Sequence, residues 1–114
     1  MDDLTKDQKG LVIALYHEFL SRQPALTPDK ANYFGSSEDI QANFLPSYDA
    51  DYVSDICWKL YSLNYIECTP GDDCANDVRI TDKVIIFMEN TFKRNLKKIK
   101  EFANTLIPTL KLFS

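Results

Sequence analysis

The stretch that most constrains this chain runs from Asp49 to Lys83, DADYVSDICWKLYSLNYIECTPGDDCANDVRITDK. Asp49 and Asp51 put carboxylates in a first helical turn, where they complement the positive end of the helix dipole. Val53, Ile56, Cys57, Leu60 and Leu63 then recur by threes and fours, which predicts one apolar helical stripe. At about 100° per residue the opposite arc carries Asp51, Ser54, Asp55, Trp58, Lys59 and Ser62. Asn64 tolerates the left-handed conformation and ends the helix. In YIECT, Tyr65, Glu67 and Thr69 alternate with Ile66 and Cys68, the period of a half-buried strand. PGDDCAND, with Asp72, Asp73 and Asp77, is dense in turn residues, so the chain reverses there. DVRIT resumes the alternation with Val78 and Ile80 on one face, and Thr81 caps a further helix that begins at Asp82.

Helix, hairpin with a polar tip, helix: this is the order of the working end of a winged helix-turn-helix. The residues ahead of it supply the rest. Thr5 and Gln8 form a capping box that opens a first helix, with Val12, Leu15, Tyr16 and Phe19 as its buried face and an end near Gln23, before Pro24. Gly10 is expected to let its start fray, and His17 points away from the apolar stripe as an exposed structural residue. Thr27, Pro28 and Asp29 start a helical turn or two that Gly35 ends, with Tyr33 and Phe34 as anchors to the core. Ser36 or Ser37 then caps EDIQANFL, whose Ile40, Phe44 and Leu45 face inward.

Beyond the wing, Ile85, Met88, Phe92, Leu96, Ile99, Ala103 and Leu106 lie close to a heptad seam and predict one long helix to about Ile107, stopped by Pro108. The alternative is a helix folded back on helix one. Leu110, Leu112 and Phe113 in the tail need cover, which a second subunit would provide. The expected fold is mainly α (α+β): a winged helix-turn-helix with a two-stranded wing and a long C-terminal helix. It forms one domain over 1–114, with a core at 1–83 and a helix and tail at 84–114 that serve as a dimerisation element.

LYSLNYIECTPGDDCANDVRITDKV resembles the helix end, wing and following helix of MarR-type and PadR-type regulators. In those families a Leu-rich helix end runs into "GYI" or "GLI", a charged turn, an Arg-containing strand and "LTdkG". Asn64 to Ile66, Arg79, and Ile80 to Val84 stand at those places here. Two departures stand out: Val84 replaces a frequent Gly, and Asp72, Asp73 and Asp77 replace frequent Arg or Lys. The resemblance implies the fold, a homodimer through the terminal helix and a bacterial or phage setting.

No apolar run approaches the ~18 residues of a membrane span, and MDDLTKDQKG lacks the basic-then-apolar pattern of a signal peptide, so the expected location is the cytoplasm. Cys57, Cys68 and Cys74 are odd in number and none has C-x-x-C spacing, which argues against disulfides and a metal site; Cys57 reads as core and Cys74 as a partly exposed thiol at the hairpin tip. There is no phosphate loop, no G-x-S-x-G, and no nucleophile with a base in reach, so neither an enzyme nor a cofactor is expected.

Charge bears on function most directly. Residues 1–92 carry seven Lys and Arg against sixteen Asp and Glu, whereas 93–114 carry six against one. A recognition helix entering DNA needs Lys and Arg for phosphate, yet the outward arc offers Lys59 alone beside Asp51 and Asp55. Trp58, flanked by Tyr61, instead supplies the residue types that dominate protein interfaces. The expected function is therefore non-catalytic protein recognition through Asp51, Asp55, Trp58, Lys59 and Tyr61. The alternative is a DNA-binding transcriptional regulator that uses Ser54, Lys59, Ser62, Arg79, Lys83 and the basic Lys93, Arg94, Lys97 and Lys98.

Overall fold

Helix α1 (Lys6–Ser21) is the axis of the molecule: most of the other helices and one strand pack on it, and the remaining elements pack on those. The structure is a computed structural model that describes residues 1–71 and 74–112; Asp72, Asp73 and Phe113, used in the sequence reading, lie outside the described residues. After α1 come α2 (Pro28–Ala31), α3 (Ser37–Phe44), α4 (Ala50–Ser62), the antiparallel pair β1 (Ile66–Gly71) and β2 (Cys74–Ile80), α5 (Asp82–Phe92) and α6 (Leu96–Leu106). The result is a compact, mainly α, α+β fold. Among the described residues no helix is long and apolar enough to cross a membrane.

At α1, α3 and α4 the caps form as the residues dictate. Thr5 accepts from the Gln8 amide while the Gln8 side chain returns to the Thr5 amide; Ser36 and Asp39 do the same at α3, and Asp49 caps α4 by accepting from the Tyr52 amide. Each satisfies backbone N–H groups that a helix start leaves without partners. The inward stripe of α4, Val53, Ile56, Cys57 and Leu60, is buried, and Asn64 leaves the helix at φ 65°.

Six expectations are corrected. Thr81 makes no side-chain cap bond at the start of α5, its hydroxyl donating instead to the Asn64 carbonyl at 2.8 Å, and Tyr33 is 44% exposed rather than anchored in the core, its hydroxyl donating to Asp77 at 2.9 Å. His17 is 1% exposed, not a surface residue. A helical stripe predicts an outer face only when one side meets water, and α1 is packed by α2, α4, α5, α6 and β2, so Gly10 through His17 are all buried. Burial pushes the imidazole pKa down. Gly10 likewise is not a fraying point: it lies under Ile107, where a Cβ would come within 2.5 Å of Cδ1, so the missing side chain lets the end of α6 close on α1. Cys74 is buried rather than partly exposed at the tip, because the two strands stay paired out to Gly71 and Cys74.

The largest correction concerns the C-terminal helix. It breaks after Phe92, where Lys93 (φ 51°) and Arg94 (φ 62°) are both left-handed, and Asn95 caps a new helix by accepting from the Lys98 amide. Helix α6 then runs back along α1. Met88, Ile99 and Ala103 of the supposed intermolecular seam are fully buried within the chain, and Ile85, Phe92, Leu96 and Leu106 pack against the same core. Two short amphipathic helices bury that stripe without a partner, which offsets the roughly 1–2 kcal/mol cost of each non-glycine left-handed residue. Of the tail's described residues, Leu110 is buried, Leu112 packs against the core and the Lys111 amide donates to the Phe44 carbonyl at 2.9 Å.

The hairpin pairs Ile66 with Ile80 and Glu67 with Arg79. It is then interrupted before Thr69↔Asn76, and Asp77 takes φ 53°. The other edge of β2 is lined by the segment after α2. Phe34 N–H donates to Val78 O and Val78 N–H to Gly35 O, both 2.9 Å. The Asn32 side chain bonds both the N–H and the C=O of Ile80 at 2.8 Å. Gly35, at φ 73°, turns this segment into α3.

Candidate functional site

Helix α4 turns its polar arc outward as its spacing predicts. Asp51, Asp55, Lys59, Tyr61 and Ser62 are exposed; Ser54 and Trp58 are half-buried. Trp58 packs its inner part on the core, and its ring meets Tyr61 edge-on, centroids 5.8 Å apart at 83°. Tyr61 remains 47% exposed. Three residues apart on one helix, the two rings form an aromatic ledge with Asp51 and Asp55 on the same face.

The helix that carries this ledge is held at both ends. Tyr52 and Tyr48 each donate to Asp7 at the start of α1, at 2.6 and 2.9 Å, with their rings 5.9 Å apart. Tyr65, just beyond α4, donates to Asp3 at 2.7 Å, and the Lys83 ammonium sits 4.0 Å over its ring. Burial first, and then the hydrogen bond to Asp7, pushes Tyr48 up to about 12; burial and Asp3 do the same for Tyr65. The bond from Tyr65 in turn lowers the Asp3 carboxyl. These clasps were not legible in the sequence, since 41 to 62 residues separate the partners. Tyr52, 45% exposed beside the polar arc, is a surface aromatic that the sequence reading left out.

The nucleic-acid candidates are not gathered into one surface. Arg79 donates from Nη1 to the carbonyls of Asn32 (2.7 Å) and Asp29 (3.2 Å), and its guanidinium stacks 5.2 Å from the Tyr33 ring. Lys83 donates to the Leu63 carbonyl at the end of α4, at 3.1 Å. Lys93, Arg94, Lys97 and Lys98 are exposed on the α5–α6 corner and α6, helices that pack on α1 and not substantially on α4. Arg94 also lies 3.5 Å from Glu89. Ser54, Lys59 and Ser62 stay on α4, apart from that corner.

Among the described residues no group of three or more His, Cys, Asp or Glu is placed to hold a metal ion. Comparison with profiles of known families, with characterised proteins and with solved structures finds no match to this chain.

Proposed function

We propose that this chain is a non-catalytic winged-helix regulatory or accessory module that recognises a protein partner through the outward face of α4. The observation that carries the reading is the fate of the wing-base cations. Arg79 and Lys83, the two best placed by sequence to meet phosphate, donate to backbone carbonyls of their own chain. The face is left with Lys59 against Asp51 and Asp55, around the Trp58–Tyr61 ledge. Such a face repels a polyanion and suits a basic partner surface. The winged-helix reading is supported by the order of α3, α4 and the hairpin, and by the pairing of the segment before α3 with β2. Three free thiols fit a reducing, cytoplasmic setting.

The exposed Lys93, Arg94, Lys97 and Lys98 favour the second reading, a DNA-binding regulator, through a different surface. Titration of duplex DNA at low and then physiological salt decides between them. Absence of binding at low salt, where phosphate contacts are strongest, is the expected result. Affinity that falls steeply with added salt, and that Lys97→Ala and Lys98→Ala reduce, would replace the protein-recognition reading with the regulator.

A further inference from the structure

Asp51 and Asp55 stand one turn apart on α4, and Trp58 follows Asp55 by three residues, so the two carboxylates and the indole share one side of the helix. Among the described residues neither carboxylate forms an ion pair or a side-chain hydrogen bond. The one cation of the helix, Lys59, lies one turn beyond Asp55 without bridging to it. It is turned about 100° from Trp58 and about 160° from Tyr61. The chain itself shows what a ring beside a carboxylate holds. Arg22 lays its guanidinium 5.0 Å over the Phe34 ring while its Nε lies 3.2 Å from a Glu18 carboxylate oxygen. Arg79 stacks 5.2 Å from the Tyr33 ring while donating to two carbonyls. Lys83 covers Tyr65 in a similar way but reaches one carbonyl only, that of Leu63. A flat, weakly hydrated guanidinium meets a ring face and a carboxylate at once, which suits a compact ammonium less well.

On α4 the acceptor half of the Arg22 arrangement faces water. Tyr61 is 47% exposed, and the perpendicular Trp58–Tyr61 pair leaves ring face that the neighbouring ring does not cover. We propose that α4 docks a segment of a partner protein that carries two arginines one helical turn apart. One guanidinium stacks on the Trp58–Tyr61 ledge and pairs with Asp55; the other pairs with Asp51. This rests on α4 being the recognition face and adds which cation that face selects. Two arginines four residues apart on a helix are separated by about 6 Å along its axis, the same as Asp51 and Asp55. A second copy of this chain is not the source. Its three arginines are already held, Arg22 by Glu18, Arg79 by the carbonyls of Asp29 and Asn32, and Arg94 by Glu89.

Trp58 is the single tryptophan, so its fluorescence reports on this face directly. The full chain is titrated with an alanine-based helical peptide bearing two Arg four residues apart, and with the same peptide bearing Lys in their place. The expected result is a saturable change in Trp58 emission, with the Arg peptide bound about fivefold or more tighter than the Lys peptide. Asp55→Asn weakens binding of the Arg peptide, and Tyr61→Leu shrinks its lead over Lys. Lys59→Ala, on the same helix but turned from the ledge, keeps that lead. All three positions are exposed, and unchanged circular dichroism shows that each variant folds. Equal affinity for the two peptides, or a lead that survives both Asp55→Asn and Tyr61→Leu, overturns the arginine assignment and leaves α4 as a recognition face. Silence of Trp58 toward both peptides up to roughly millimolar concentration overturns the assignment together with the reading of α4 on which it rests.

Discussion

Gly10→Ala probes the closure of α6 on α1 with a single methyl group. In an unobstructed helix interior the change gains about 1 kcal/mol of propensity. Here the new Cβ would lie 2.5 Å from Ile107 Cδ1, 2.6 Å from Cγ1 and 3.5 Å from Leu106 Cβ. Ile107 is fully buried and has no open side into which to move. Overpacking of this kind costs about 1–3 kcal/mol, so the net expectation is a loss of about 0–2 kcal/mol. Ile107→Ala removes the colliding atoms and by itself costs about 2–5 kcal/mol. In the double variant the methyl group added at Gly10 enters part of the vacated volume, so the two losses do not add. The double variant is expected to be about 1–2 kcal/mol more stable than the sum of the singles, well outside the ~0.5 kcal/mol scatter of independent sites. Urea unfolding followed by helical circular dichroism and by the fluorescence of Trp58, the single tryptophan, measures all four corners of the cycle. A Gly10→Ala protein more stable by about 1 kcal/mol, with additive effects, would mean that α6 does not close on the start of α1.

Other perturbations test the remaining packing. Tyr16 is fully buried and its hydroxyl has no hydrogen-bond partner among the described residues, so Tyr16→Phe is expected to raise stability by about 1 kcal/mol in the same urea assay; a loss of that size would reveal a partner for the hydroxyl. Tyr16, Tyr48 and Tyr65 are pushed up to about 12 from an ordinary value of 10.0. Their folded pKa values exceed the unfolded ones, so the stability they lend is whole below pH 10 and is lost as pH rises toward 12. Tyrosinate absorbance from these three should rise together with unfolding, and full ionisation near pH 10 in a folded protein would contradict the clasps. Native thiol labelling should find Cys68 first, because Cys57 and Cys74 are buried and burial pushes Cys57 up to about 12; three equally fast thiols would show the hairpin open. Arg79→Ala removes two charge-assisted bonds to carbonyls and should cost about 1.5–3 kcal/mol; an unchanged urea midpoint would show Arg79 free for other work.

Local chemistry was legible at the starts of α1 to α4, though not at α5, where the Thr81 hydroxyl goes to the Asn64 carbonyl instead of capping the helix. Thr5 with Gln8, Thr27 with Lys30, Ser36 with Asp39 and Asp49 with Tyr52 all form within three residues, and Asn64 turns left-handed as its side chain allows. The inward stripe of α4 and the meeting of Trp58 with Tyr61 follow from helical spacing alone. What failed depended on tertiary surroundings. His17 sits on the polar side of α1 by period, yet that side meets other helices. The α5–α6 corner contains neither Gly nor Pro, and a stripe that would suit one long helix serves a folded pair equally well. Asn95 was the available signal, since an Asn in mid-helix is better placed as a cap. Arg79 and Lys83 looked free because their acceptors, carbonyls at 29, 32 and 63, come near only when α2 and the end of α4 are in place.

The segment along the outer side of β2 has a bearing on how this protein behaves at high concentration. A two-stranded ribbon exposes two rows of peptide groups, each a template onto which a foreign strand can add. Here Asn32 imitates a peptide group against Ile80, and Phe34 and Gly35 occupy Val78, so one row is taken by the chain itself. On the other strand Pro70 has no N–H to offer, and the irregularity between Glu67 and Thr69 breaks the flat run. Strand-by-strand growth of fibrils therefore has little to start from at the hairpin, and association is left to the helical faces, where side chains rather than backbone choose the partner.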